Sequence, residues 1–116
     1  MIYTAHYKGK KLNSPNDLVW SKEGHLYFTD PLYGLISTSA RNANLSVETG
    51  AVDDNLRELS HCGLYMIHYK DIVKSIETGQ EVEHVYLIDK AVASPNGLAF
   101  SPGYRLVGIF YMCFFL

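Results

Sequence analysis

An all-β chain is predicted, and three observations carry that prediction. Nine Tyr, five Phe and one Trp sit mostly in short runs beside Val, Ile and Leu, a mix that packs well on a pleated surface. Gly, Pro and Asp punctuate those runs as turn residues do. An eight-residue block occurs twice: Ser14-Pro-Asn-Asp-Leu-Val-Trp-Ser21 returns as Ser94-Pro-Asn-Gly-Leu-Ala-Phe-Ser101, without a gap and 80 positions later.

The elements follow in order. Asp17-Leu-Val-Trp-Ser21, Lys22-Glu-Gly24 and His25-Leu-Tyr-Phe-Thr-Asp30 read as strand, turn and strand, a β-hairpin. In the second strand Leu26 and Phe28 face one side, and His25, Tyr27 and Thr29 the other. Pro31 ends the pairing because it has no N–H to give. From 32 to 60 the chain is polar and aperiodic, the pattern of a functional or disordered loop leaving one end of a sheet. Strand character resumes at Gly63-Leu-Tyr-Met-Ile-His-Tyr69. Asp71 to Glu77 predicts one or two helical turns, with Asp71 as cap, Ile72 and Ile76 on a shared face, and Thr78-Gly79 as the stop. Glu81 to Ile88 reads as a fourth strand, at an edge that Glu81 and Glu83 blunt. Gly97-Leu-Ala-Phe-Ser101 begins another strand.

The repeat organises these elements. Five of its eight positions are identical, and Val to Ala and Trp to Phe keep an apolar strand face. Repetition of a unit of about four strands is the signature of a β-propeller. The chain is therefore expected to form roughly two blades, one over 7–90 with the loop 32–60 and the start of the next over 91–116. Pro15 and Pro95 fix the backbone just before Asn16 and Asn96. Two amides aimed at one axis suit an oxygen-loving cation such as Ca²⁺; the competing reading is that each Asn only completes its own turn.

Composition removes other classes. The net charge is −2 and no basic run exceeds Lys10-Lys11, so the stripe that displaces counterions from nucleic acid is missing. No signal peptide is read at the start. The uncharged run from Leu106 to Leu116 is shorter than the roughly 20 residues of a membrane helix, and reads as a buried strand or an unnatural chain end. These features point to the cytoplasm, with no nucleic-acid or membrane partner. Cys62 and Cys113 fit no disulfide framework or metal knuckle and read as buried thiols.

Three blocks then carry a resemblance. Leu12-Asn-Ser-Pro-Asn-Asp-Leu-Val-Trp20, Gly24-His-Leu-Tyr-Phe-Thr-Asp-Pro-Leu-Tyr-Gly34 and Ser94-Pro-Asn-Gly-Leu-Ala-Phe-Ser-Pro102 resemble the SMP-30/gluconolactonase family. The resemblance implies a six-bladed β-propeller with one divalent metal, usually Ca²⁺, that hydrolyses sugar lactones such as gluconolactone. It implies Asn96 as a metal ligand and Asn16 as a substrate-binding residue. The family's early Glu and late Asp, the latter its usual general base, would fall outside 1–116, so no catalytic residue is assigned. Ser14 stands where some relatives have Arg, and the stretch after Pro102 leaves the family pattern. The expectation is a fragment inactive alone, with unpaired strands free to self-associate. The alternative is a non-catalytic propeller piece that binds or assembles through its open sheet edges.

Overall fold

The computed structural model describes residues 4–36, 38–44, 52–90, 95, 97–101, 103 and 106–108. Its centre is a four-stranded antiparallel sheet in which each strand pairs with the next in sequence. The strands are β3 (Leu18–Trp20), β4 (Leu26–Asp30), β5 (Gly63–Ile67) and β6 (Tyr86–Asp89). Two shorter hairpins flank it. One is β1 (His6–Tyr7) with β2 (Lys10–Lys11), and the other is β7 (Leu98–Phe100) with β8 (Leu106–Gly108).

Register shows why the central sheet forms. Leu18 pairs with Phe28, Trp20 with Leu26, Phe28 with Tyr65, and Leu26 with Ile67. Paired residues share a face, so one face collects Leu18, Trp20, Leu26, Phe28, Tyr65 and Ile67, as the alternation in 25–30 predicts. Over it pack Leu12, Leu59, Ile72 and Val82, with Tyr7 and Leu87 at the margin. Phe28 stacks on Tyr65 with centroids 5.4 Å apart. The opposite face carries Val19, Tyr27, Thr29 and Met66 and receives β7, where Phe100 meets Tyr27 edge-on at 5.6 Å.

Between β4 and β5 the excursion is more ordered than its composition implies. It holds single 3-10 turns at Tyr33–Leu35 and Asp54–Leu56, a short helix α1 (Thr38–Asn42) and an isolated bridge between Ile36 and Val52. Leu32, Leu35 and Cys62 bury a small core of their own against Val52. Cys62 is thus a buried thiol, as read from the sequence; Cys113 lies outside the described residues.

Helix α2 (Tyr69–Thr78) is longer than the one or two turns expected. Its cap is His68, whose ring accepts from Lys70 N–H, while Asp71 sits inside the first turn. Gly79 closes it at φ +68°, a left-handed conformation that glycine takes without penalty. Ile72 is buried, but Ile76 is exposed and Ser75 is buried in its place, donating to Gln80 C=O at 2.6 Å. The strand expected over 81–88 is shorter and later: Glu81 instead accepts Ala5 N–H at 2.7 Å, and Glu83 pairs with Lys74. Among the described residues no helix is long and apolar enough to cross a membrane.

Candidate functional site

The first Asn-bearing loop, 12–17, is built almost wholly by hydrogen bonds to the end of β4. Asp30 is fully buried, and its carboxylate accepts Asn13 N–H at 2.8 Å and Ser14 N–H at 2.7 Å. Ser14 donates its hydroxyl to Pro31 C=O at 2.6 Å and accepts Gly34 N–H at 3.0 Å. Asn13 donates from its side chain to His61 C=O at 3.0 Å. Asn16 N–H donates to Thr29 C=O, and Thr29 N–H returns the bond to Asp17 C=O, both at 3.0 Å. The two sequence blocks around Pro15 and Pro31 therefore form one structure.

Burial pushes the Asp30 carboxyl up to about 6, against the opposing pull of the Asn13 and Ser14 N–H groups and of His61. Its oxygens are taken by backbone donors, which makes it a clamp for the loop. Its contact with the Asn loop, 16 and 17 positions away, leaves no local signal in the sequence.

Asn16 is exposed at the end of that clamped loop. It helps line a recess of about 390 Å³ whose walls are mainly Leu18, Trp20, Leu26, Phe28 and Ile67. The recess is mostly apolar, with Thr4, Asn16 and Asp17 as its polar lining.

Asn96 lies outside the described residues. Its neighbours in sequence are informative, because Leu98 N–H donates to the Asp17 carboxylate at 2.7 Å. That bond joins the residue just after Asn16 to the residue two beyond Asn96.

A divalent cation needs several oxygens, with formal charge to offset its dehydration. Around the first loop the carboxylates are engaged, Asp17 with Leu98 N–H and Asp30 with Asn13 and Ser14 N–H. An amide brings no formal charge, so such an ion would need charged ligands besides Asn16. Asp71, Glu83 and His84 also converge, beside the first turn of α2, but Lys74 already holds Glu83 at 2.6 Å and Asp71 contacts His84 at 3.2 Å. That group is an exposed ion-pair network.

Comparison with known proteins agrees with this architecture. No family model matches the chain. A gluconolactonase from Zymomonas mobilis is 35% identical over 101 residues, which is 87% of this chain and 21% of that protein. A gluconolactonase from Xanthomonas campestris, described as important in secondary glucose metabolism, superposes with a TM-score of 0.65 at 29% identity, over 95% of this chain and 30% of that one. A second solved protein, provisionally assigned as a gluconolactonase, gives 0.59 at 28% identity, over 90% and 28%. The fold and sequence define a β-sheet protein of the gluconolactonase family. This chain is a gluconolactonase homologue that spans about a fifth of the length of the curated relative it matches.

Proposed function

We propose that the chain contributes two adjoining site loops to a metal-dependent lactonase acting on sugar lactones such as gluconolactone. In this reading the sheets are neighbouring blades of a six-bladed propeller of the SMP-30/gluconolactonase type. Asn16 contacts substrate and Asn96 is one ligand of a Ca²⁺ or similar ion. The bond between Asp17 and Leu98 carries the proposal, because it joins the residue after Asn16 to the second residue beyond Asn96.

Bound Ca²⁺ would supply Lewis-acid polarisation of the lactone carbonyl. The chain's own contribution is to hold the Asn16 loop rigid through Asp30, Ser14 and Thr29, which orients a substrate hydroxyl or carbonyl at little entropic cost. No residue is assigned as general base, so turnover is proposed only for a longer polypeptide that supplies one. The partner is a small lactone, with neither nucleic acid nor membrane involved.

The test is gluconolactone hydrolysis, with and without chelator, by this chain and by a version extended to the length of its relatives. Metal-dependent turnover is expected from the extended protein alone. Asn16→Ala in that protein should raise KM or lower kcat about tenfold or more, and Asn96→Ala should weaken metal binding by calorimetry. Full activity of the extended protein after metal removal would sink the proposal. The second reading, a non-catalytic assembly piece, is favoured by the exposure of Leu18 and Trp20, and unchanged activity in both Asn variants would select it.

A further inference from the structure

The second sheet docks on the first through a defined pair of surfaces. Leu98 and Phe100 project from one face of β7; Leu98 is buried and Phe100 stands edge-on to Tyr27. Asp17 completes the receiving surface by accepting Leu98 N–H. Through the repeat, Leu18 and Trp20 are the counterparts of Leu98 and Phe100. They form the equivalent docking face of the first sheet, yet Leu18 is 56% and Trp20 49% exposed. Beside them lies the apolar recess of about 390 Å³.

We propose that this face binds the outer side of the β7–β8 hairpin of a second copy, so that chains associate head to tail. A copy's own Tyr27 surface is already filled by its β7, which leaves the reverse of that hairpin as the matching surface. Ala99, half-buried, lies on that side as the counterpart of Val19. The contact continues the interface that joins the two sheets within one chain. It pairs unlike surfaces, so it builds rings or open rows and not a closed symmetric pair. Gly97 stands where the first repeat has Asp17, so the contact between copies lacks one charge-assisted hydrogen bond and is weaker than the one within a chain. The proposal is independent of the lactonase reading.

Sedimentation velocity of the intact chain over about 1–500 µM, the range of weak association, tests it. Mass should climb past the dimer with concentration, while emission from Trp20, the single Trp, shifts to the blue. Trp20→Glu and Ala99→Glu should each weaken association about tenfold or more, whereas Ile76→Glu, on the exposed side of α2, should not. Each defective variant keeps the surface that the other lacks. Mixing Trp20→Glu with Ala99→Glu should therefore restore a one-to-one heterodimer, which also shows that both variants fold. A monomer at every concentration, whether Trp20 is exposed or covered by its own chain, overturns the proposal. So does association that survives both substitutions, which would assign it to strand edges, or a mixture that stays monomeric.

Discussion

Asp30 shows how a single carboxyl can hold a loop and still weaken the fold. Its folded pKa of about 6 lies above the ordinary carboxylate value near 4, so the folded state keeps a proton that the unfolded state has lost. Its effect on stability is therefore neutral below about pH 4, becomes unfavourable as pH rises, and levels off above about 6. Glu81 and Glu83 act in the opposite direction and in a lower window. Desolvation is the largest single influence on Glu81 and pushes it up, but the Ala5 and His6 N–H groups and the His6 ring together outweigh it, and Lys74 stabilises ionised Glu83, so each is held below its usual value; what they contribute is lost as pH falls through the low carboxylate range. Urea midpoints are expected to decline between about pH 4 and 6, and Asp30→Asn should flatten that decline. An unchanged slope in the variant would contradict the assignment. Tyr65 supplies a second case. Its hydroxyl is buried with no hydrogen-bond partner among the described residues, and burial raises its pKa. Tyr65→Phe removes the unmet desolvation cost and should be neutral or stabilise by about 1 kcal/mol, read from urea denaturation.

At the scale of elements, the loop carrying Asn16 depends on a close approach. A Cβ on Gly34 would lie 2.6 Å from the Ser14 Cβ, so Gly34→Ala must push the two segments apart. It should cost about 1–3 kcal/mol, and the backbone N–H at position 34, which donates to the Ser14 hydroxyl, should exchange faster. Asp17→Ala removes the acceptor for Leu98 N–H, and exchange protection at Leu98 should fall about tenfold or more. The strand segments were legible in the sequence because aromatic alternation bounded by turn residues is a local signal. Helix α2 ran longer than expected because His68, and not Asp71, supplies its cap. The β1–β2 hairpin went unread. Its strands are His6–Tyr7 and Lys10–Lys11, too polar to show a period, although Lys8 and Gly9 with positive φ make the two-residue turn. Asp30 was the harder case, since its role exists only once distant segments meet.

For the molecule as a whole, one repeat and one hydrogen bond account for most of the arrangement. The offset of 80 residues announced two related sheets, and the Asp17–Leu98 bond joins them. What the repeat could not convey was which face of each sheet would be covered, because that depends on neighbours brought together by folding. The exposed docking face makes stability a function of concentration: association of folded chains should raise the thermal midpoint as protein concentration increases. A midpoint constant over a hundredfold dilution would argue against it. The excursion between β4 and β5 has its own implication. Asp30 and Gly63 are register partners, so the chain leaves and re-enters the sheet at one rung of the ladder. Residues could be added to or removed from the rim there while every strand pairing stayed in place, which makes this the natural spot for such proteins to differ in length and for foreign sequence to be spliced in.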